Sequence, residues 1–295
     1  MRRLSHTERE TVGAAIERCA RALRAARVHF GHGTDNARDE AAELVFWAAR
    51  LEHSLGAGAY PRSLTPRVRA RIDALLARRI AERVPLAYLT HRAFFAGLEL
   101  YVDERVLVPR SPIAELILRR FAPWAPPRVR RIADVGTGSG ALALACAAAF
   151  PRARVDAFDI SAGALAVCRR NVRRLGLGRR VAVLRSDHLA AAHGRYDIIV
   201  SNPPYVGAAE MRRLPREHRR EPALALAAGR DGLDSVRAIF AGARRHLRPE
   251  GILVVEVGNT EGVLLRAFPK LPFIWPQIDM GGGGVFVLRA KDLEN

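Results

Sequence analysis

The sequence predicts an α/β protein, in which a doubly wound, mostly parallel sheet follows a small N-terminal helical domain and a β-hairpin arm. From Arg131 onward, continuous apolar runs alternate with helical stretches, which is typical of a parallel sheet covered by helices on both faces. Before residue 85 the apolar residues recur at helical spacing instead. At 295 residues and 49% apolar content, the chain is long enough for two domains.

Residues 1–84 are assigned to the helical domain. Two stretches have the repeat of an amphipathic helix, namely Val12, Ile16, Cys19 and Leu23, and then Leu44, Val45, Trp47, Ala48 and Leu51. A third helix is expected to begin at Thr65, whose side chain can cap a helix N-terminus, with Pro66 in the first turn.

Residues 85–127 are predicted to form an arm and a linker. The short apolar runs "AFFAGLELYV" and "RVLVPR" lie on either side of "DER", which predicts a β-hairpin. A helix from about Pro112 to Phe121 and the proline-rich "APWAPPR" then lead into the next domain.

Residues 128–295 are predicted to form the α/β domain with a seven-stranded sheet. The strand-like runs are "RIADV", "RVDAFDI", "VAVLRSD", "YDIIVSN", "GILVVEV", "FIWPQID" and "GVFVL". Only "MGGGG" joins the last two runs, which is too short for a helical crossover, so the final strand should be antiparallel.

The chain carries a net charge of +18, from 48 basic and 30 acidic residues. Such an excess suggests contact with RNA or a ribonucleoprotein through a basic surface. However, Lys270 and Lys291 are the only lysines, and the arginines are scattered along solvent faces of helices, which is equally typical of a coding bias. The charge alone leaves both interpretations open.

The sequence predicts a soluble, cytoplasmic protein without a membrane partner. No segment approaches the ~18 uninterrupted apolar residues of a spanning helix, and the start, "MRRLSHTERETV", has no apolar run. Cys19, Cys146 and Cys168 have no CxxC spacing and fall at apolar positions of helical segments. Neither a disulfide nor a metal site is therefore indicated.

A ligand in a doubly wound fold binds beyond the carboxyl ends of the strands, where the strand order reverses. In "DVGTGSG", Asp134 ends the first strand, and Gly136, Gly138 and Gly140 allow a tight turn close to a bound molecule. With Ala141 the motif also fits the relaxed dinucleotide pattern, and a plain strand-to-helix turn would explain the glycines equally well.

Two acidic residues end the next two strands. Asp159 ends the second strand, where a carboxylate can accept hydrogen bonds from both hydroxyls of a ribose. Asp187 ends the third strand, where it could accept a hydrogen bond from an adenine amino group. These positions indicate a nucleoside without identifying it.

The stretch "YDIIVSNPPYV" follows a strand with Asn202, Pro203, Pro204 and Tyr205. A planar amide or aromatic amine is a poor nucleophile, so an enzyme that uses one must hold both N–H bonds and orient the lone pair. The Asn202 side-chain oxygen and the Pro203 carbonyl can accept those hydrogen bonds. The prolines stiffen the segment, and Tyr205 can pack against a flat group. A hydride-transferring enzyme has no use for this set.

In this order and spacing, "DVGTGSG", "FDIS", "SDHL" and "NPPYV" resemble a class I S-adenosylmethionine-dependent methyltransferase of the amino-methylating kind. The resemblance continues through "REPALALAAGRDGLD" and "EVGN", and back to the arm "AYLTHRAFFAGLELYVDERVLVPR". It covers nearly the whole chain, which is similar to the HemK/Prm family of protein glutamine N5-methyltransferases.

The resemblance implies S-adenosylmethionine as the cofactor and residues 1–84 as the part that recognises the substrate. The implied cofactor-binding residues are Asp134, Gly136, Thr137, Gly138, Ser139, Gly140, Asp159, Ile160, Asp187, His188 and Asn202. The implied catalytic and substrate-binding residues are Asn202, Pro203, Pro204 and Tyr205, and no metal is implied. Two features depart from the family pattern: Ala157 replaces a frequent glycine, and "DHLA" replaces the more usual "DLF".

Within the family, "VLVPRSPIAELI" and "EMRRLPREHRREPALALAAG" resemble the branch that methylates a glutamine of the large-subunit ribosomal protein uL3. The release-factor branch usually has Asp-Thr-Glu after the Pro-Arg, where this chain has Ser111, Pro112 and Ile113. Three alternatives are considered: release-factor methylation, adenine N6-methylation with the same tetrapeptide, and a non-catalytic ribosome-assembly factor. The last would be expected to have a damaged "NPPY", which is intact here.

Overall fold

The computed structural model describes residues 10–279 and 281–293. Residues 1–9 of the predicted helical domain, residue 280 of the predicted "MGGGG" turn and residues 294–295 lie outside this range. The chain forms two compact units: a helical unit of Met1–His91 and Pro215–Arg220, and an α/β unit of Arg92–Leu214 and Glu221–Asn295. The predicted domain boundaries, 1–84, 85–127 and 128–295, do not coincide with these units. Residues 85–91 group with the helical unit, and residues 92–127 group with the α/β unit.

The described part of the helical unit contains α1 Val12–Ala25, α2 Ala37–Ala49, α3 Pro66–Ala81 and α4 Leu86–Thr90. The side chains of Thr11, Asn36 and Thr65 accept hydrogen bonds from backbone N–H groups in the first turns of α1, α2 and α3. The predicted cap at Thr65 and the proline at the start of α3 are therefore confirmed. No helix in the described ranges is long and apolar enough to cross a membrane.

A buried arginine organises the interior of the helical unit. The Arg79 guanidinium is inaccessible to solvent, donates to Glu40 at 2.6 Å and donates to the His29 carbonyl at 2.8 Å. Glu217, from the segment 215–220, forms ion pairs with Arg79 at 3.6 Å and with Arg83 at 3.2 Å. These charges tie the short returning segment to the helical unit, since a buried charge must be paired to be tolerated.

The α/β unit is built on a six-stranded sheet of order β5-β4-β3-β6-β7-β8. Its strands are β3 Arg131–Val135, β4 Arg154–Asp159, β5 Val181–Arg185, β6 Tyr196–Ser201, β7 Leu247–Glu256 and β8 Val285–Arg289. Its helices are α5 Ile113–Leu118, α6 Ala141–Ala149, α7 Ala162–Arg174, α8 Ala208–Met211, α9 Asp234–His246 and α10 Glu261–Ala267. All pairs are parallel except β7 with β8, so the predicted antiparallel final strand is confirmed.

Both faces of this sheet are buried, as the continuous apolar runs predict. Ile198 and Val200 of β6 pack in one core, with residues of α6 and α7. Ile199, between them, packs in a second core, with residues of α9 and α10. Because successive side chains of a strand point to opposite faces, the alternation places helices on both sides of the sheet.

The prediction of a strand over "FIWPQID" is wrong. Of this run only Ile274 pairs, in an isolated antiparallel bridge in which its backbone exchanges two hydrogen bonds with Val287, at 3.1 and 2.8 Å. Pro272 and Pro276 flank this residue and have no N–H to donate, so the pairing cannot extend into a ladder. The sheet in the described residues therefore has six strands instead of seven.

The predicted hairpin is misplaced. The two strands, β1 Ala93–Phe95 and β2 Leu98–Leu100, both lie within "AFFAGLELYV", and "RVLVPR" forms no strand. The turn consists of Ala96 and Gly97, with φ of 47° and 79°. Positive φ at both central residues suits the right-handed twist of a two-residue hairpin, so this turn closes the arm before "DER".

Candidate active site

The carboxyl ends of β3, β4 and β6 meet at one edge of the sheet, and the strand order reverses between β3 and β6. A cavity of about 290 Å³ lies at this edge, within the α/β unit. Its walls include residues 136–139, 159–161, 186–188, 202–204, 105–107, 109–111, 222, 224, 225 and 227. Residues from the segment 105–111, before the glycine loop, and from the segment 222–227, far after it, therefore line the same cavity as the loop.

The glycine loop presents its backbone to the cavity. Gly136 and Gly138 have φ of 73° and 54°, and a Cβ added at either position would have no other atom within 4 Å. The Gly138 N–H donates to Asp159 Oδ2 at 2.9 Å, which joins the loop to the end of β4. The loop is thus both open toward the cavity and fixed in position, as a surface for a bound molecule must be.

Asp134 and Gly140 do not line the cavity but support the loop from behind. Asp134 is fully buried, and its Oδ2 accepts hydrogen bonds from the Thr137 hydroxyl at 2.6 Å and the Ala143 N–H at 3.0 Å. Burial raises the pKa of Asp134 to about 7. A Cβ at Gly140 would lie 2.8 Å from Cys168 Sγ, so this glycine permits close packing of the loop.

The ends of β4 and β5 contribute two carboxylates. Asp159 lines the cavity, and its Oδ1 accepts the Ser161 N–H at 2.8 Å. Burial raises the pKa of Asp159. Asp187 also lines the cavity, although its side chain is 70% exposed, and it lies 2.7 Å from His188 Nδ1. The following residue, Leu189, is buried in the second core and does not reach the cavity.

The "NPPY" segment leaves β6 along the cavity wall. Asn202, Pro203 and Pro204 line the cavity, and the Asn202 Nδ2–H donates to the Arg110 carbonyl at 3.4 Å. Tyr205 is not among the lining residues, because its hydroxyl donates to Glu256 at 3.1 Å, behind the wall. The prediction that Tyr205 packs against the substrate is therefore not supported by its position.

Sequence reasoning missed the pair that holds this wall together. The buried carboxylate of Glu221 accepts two hydrogen bonds from the Arg110 guanidinium, both at 2.7 Å, and one from the Val108 N–H at 3.1 Å. A bidentate arginine–carboxylate pair fixes orientation as well as distance. The pair thus holds the segment from Val108 to Arg110 against the start of "EPALAL", which the sequence marked only as a family resemblance.

The chain is similar to named proteins over most of its length. Residues 114–215 match the methyltransferase small domain family. A protein of Bordetella pertussis named ribosomal protein uL3 glutamine methyltransferase is 46% identical over an alignment of 297 positions, which covers 99% of each chain. A protein of the same name from Neisseria meningitidis serogroup B is 43% identical over 270 residues, 91% of this chain and 89% of the relative.

Among solved structures, the hMettl16 catalytic domain in complex with a 3'UTR hairpin has a TM-score of 0.52 at 16% identity. The match covers 75% of this chain and 80% of that one, and at this identity it concerns the fold alone. With the parallel sheet and the matched family, it confirms the predicted class I methyltransferase fold. The predicted enzyme class, a methyltransferase, is likewise confirmed. Given 46% identity along the whole of both sequences, the chain belongs to the family of ribosomal protein uL3 glutamine methyltransferases.

Proposed function

We propose that this chain transfers a methyl group from S-adenosylmethionine to the side-chain amide nitrogen, N5, of a glutamine in ribosomal protein uL3. The observation that carries the proposal is that Asn202 and its two prolines line the same cavity as the glycine loop and Asp159. A nucleoside site and a site for a planar amide are therefore neighbours. The names of the two relatives support uL3 as the acceptor.

The residues of the cavity fit S-adenosylmethionine. The open backbone at Gly136 and Gly138 would accommodate the methionine part, and the Asp159 carboxylate has lone pairs left for the ribose hydroxyls. Ile160 and Leu142 offer apolar surface to a purine, and Asp187, which lines the same cavity, could accept a hydrogen bond from its amino group. When bound, S-adenosylmethionine supplies a methyl group that is already activated by a positively charged sulfur.

The chain's own contribution is to hold the acceptor amide. The Nδ2–H bond to Arg110 leaves the Asn202 oxygen as an acceptor for one N–H of the glutamine, and the Pro203 carbonyl can accept the other. Two such bonds orient the nitrogen lone pair, and alignment of this kind is a large source of rate enhancement. The amide proton can leave after the methyl group has moved, so we assign no general base.

The substrate also suggests where the protein works. Ribosomal proteins are assembled with ribosomal RNA in the cytoplasm, and we propose that the chain acts there. The net charge of +18 supports additional contact with ribosomal RNA on an assembling particle.

One incubation tests the proposed function. The purified chain is given S-adenosylmethionine with a labelled methyl group and, in separate reactions, purified uL3, a release factor and single-stranded nucleic acid. We expect label in uL3, on a peptide in which one glutamine has gained the mass of a methyl group. Label confined to the release factor or to the nucleic acid would assign the chain to another acceptor. The Asn202→Ala variant serves as the matched control for label introduced by a contaminant.

A further inference from the structure

The motif "EVGN" has no part in the chemistry proposed above. Its first residue nevertheless forms hydrogen bonds to two segments of the cavity wall, the "NPPY" segment and the segment that ends at Ser111. Glu256, the last residue of β7, is 4% exposed and does not line the cavity. The Tyr205 hydroxyl donates to its Oε1 at 3.1 Å, and the Ser111 hydroxyl donates to its Oε2 at 2.5 Å. One carboxylate therefore joins the "NPPY" segment to the residue that follows Arg110.

Tyr205 is fixed in this arrangement by its ring and backbone as well as by its hydroxyl. A Cβ at Gly258 would lie 2.6 Å from Tyr205 Cε2, so the ring packs directly on the backbone of Gly258. The Tyr205 carbonyl is approached equally closely by Gly232, where an added Cβ would stand 2.6 Å away. Next in sequence, Val206 donates its N–H to the Leu226 carbonyl at 2.9 Å. Contacts this close leave the segment little freedom once the hydroxyl is held.

We propose that Glu256 is a positioning residue for methyl transfer, which acts through Tyr205 and Ser111 to fix the two segments that hold the acceptor amide. The inference rests on the proposed function, because it assigns the acceptor to Asn202 and Pro203. Ser111 lines the cavity and follows Arg110, whose carbonyl accepts the Asn202 N–H. The Glu256 carboxylate alone can therefore determine the distance between the "NPPY" segment and the segment of Arg110 and Ser111.

The two hydroxyl donors require Glu256 to be ionised. A carboxylate accepts at both oxygens, whereas a protonated carboxyl must donate from one of them, and one hydroxyl then has to turn away. Burial raises the pKa of Glu256 to about 7, against the opposing effects of the Ser111 and Tyr205 hydrogen bonds and of the positive charge of Arg110. Burial and the neighbouring Glu256 raise the pKa of Tyr205, which therefore remains a donor at neutral pH. The hydrogen bonds that join Tyr205 and Ser111 through Glu256 should therefore weaken as the pH falls through about 7.

The test measures kcat, the KM for uL3 and the cofactor Kd of Glu256→Gln and Glu256→Ala in the full-length chain. In Glu256→Ala we expect kcat to fall about ten- to a hundredfold, as misplacement by about 1 Å does, with the cofactor Kd within about threefold of wild type. Glu256→Gln should recover part of kcat, because its amide oxygen can still accept from one of the two hydroxyls. The wild-type kcat should fall as the pH is lowered through about 7, which gives its pH profile an acidic limb. Glu256→Gln should lack this acidic limb, because glutamine does not titrate.

The same pH limb in Glu256→Gln and in wild type would overturn the proposal, and so would parallel losses of kcat and cofactor binding in a folded Glu256→Ala. If Glu256→Ala does not fold, Ser111→Ala and Tyr205→Phe are measured singly and together. Their effects on kcat should then be non-additive, because both act through one carboxylate. Additive effects would refute the shared role. Tyr196→Phe is the matched control, since it removes a tyrosine–carboxylate bond of 2.8 Å at the opposite end of β6.

A second readout needs no acceptor. Hydrogen exchange at the Tyr205 and Val206 amides should be faster in Glu256→Ala than in Tyr196→Phe, because only the former releases the segment. Wild type that fails to label uL3, with this difference in exchange present, would refute the proposed function and leave Glu256 as the residue that fixes "NPPY". Equal exchange in the two variants would refute the positioning role whichever acceptor is methylated.

Discussion

Two residues outside "NPPY" determine how the Asn202 amide is turned. Glu221 holds the Arg110 guanidinium with both oxygens, and the Arg110 carbonyl accepts the Asn202 N–H. The side-chain nitrogen of Asn202 is thereby directed at the protein, and its oxygen remains for a ligand. The role proposed for Asn202 therefore depends on the salt bridge between Arg110 and Glu221.

We predict that Asn202→Ala abolishes turnover while the cofactor affinity changes little. The variant removes the acceptor for one amide N–H, which by analogy with the loss of an oxyanion-hole donor should cost on the order of 2–4 kcal/mol of transition-state stabilisation. Methylation of uL3 and calorimetric titration with cofactor are measured on the same preparation. Loss of cofactor binding in proportion to activity would place Asn202 in the wrong half of the site.

Asp159→Ala should have the opposite effect. Removing the carboxylate should weaken cofactor binding by roughly 1.5–3 kcal/mol for each charge-assisted hydrogen bond lost, and saturating cofactor should restore much of the rate. Asp159→Asn is the control, because it can still accept the Gly138 N–H at one oxygen and so preserves part of the loop. A rate that stays near zero at saturation would contradict the ribose assignment.

Some of these residues can be identified from the sequence because their position in the chain fixes their position in the fold. Asp159 is the last residue of β4 and Asn202 directly follows β6, and the carboxyl ends of parallel strands meet at one edge. Glu221 and Glu256 carry no such local signal. Their bonds to Arg110 and Ser111 join residues that are 111 and 145 positions apart, so only the folded chain brings them together.

At the scale of elements, the "EPALAL" segment forms part of the rim of the cavity. Val206 and Ala227 form a parallel bridge, which holds the segment beside "NPPY". Leu224 lines the cavity and is 59% exposed. An exposed apolar side chain that lines the cavity is suited to the part of a protein substrate that flanks the methylated glutamine.

Leu224→Asp should therefore raise the KM for uL3 several-fold while the cofactor Kd stays the same. The reason is that burying a carboxylate against the substrate is costly, whereas the folded enzyme already exposes this side chain. Leu118→Asp is the matched control, since Leu118 is also 59% exposed but does not line the cavity. Equal effects of the two variants on KM would exclude a specific role for the rim.

The elements that sequence patterns misassigned show what the patterns lack. In "AFFAGLELYV" the apolar run continues through Ala96 and Gly97, so nothing marks the turn except a glycine, and the polar "DER" attracts the assignment instead. In "FIWPQID" the hydrophobicity of a strand is present, but Pro276 within the run and Pro272 just before it prevent the ladder. Hydrophobic residues of both runs pack against the cores of the sheet, although those of "FIWPQID" are only half-buried, and backbone chemistry decided the pairing.

At the scale of the whole molecule, Asp134 makes the stability depend on pH. Burial raises its pKa to about 7, so between about pH 4 and 7 the folded chain retains a proton that the unfolded chain releases. The free energy of unfolding should fall as the pH rises through this window, by up to on the order of 4 kcal/mol, and level off above it.

Urea unfolding of the cofactor-free wild type and Asp134→Asn over this window measures the effect. The excess stability of wild type over the variant should decrease as the pH rises, because only wild type carries Asp134, whereas Glu256 titrates in both proteins. Glu250→Gln, an exposed change, should show no such trend relative to wild type. A difference between wild type and Asp134→Asn that is constant with pH would contradict the assignment.

A second prediction at this scale concerns the helical unit, which we propose selects the protein substrate. All residues of the cavity belong to the α/β unit. A fragment of residues 92–295, with 215–220 replaced by glycine and serine, should therefore keep measurable cofactor binding and lose methylation of uL3 far more than it loses stability. An aggregating fragment would indicate that the helical unit covers an apolar face, and a soluble one with full activity on uL3 would exclude a role in recognition.

The return of residues 215–220 to the helical unit also orders events during synthesis. The partner that Glu217 provides for the buried Arg79 is translated 217 − 79 = 138 residues after the arginine. At about 5–20 residues per second, the helical unit waits about 7–28 s for that charge, while the strands from β3 to β6 emerge. The helical unit therefore cannot form its final set of ion pairs until much of the sheet has left the ribosome. Its last folding step thus depends on how fast the α/β unit is synthesised.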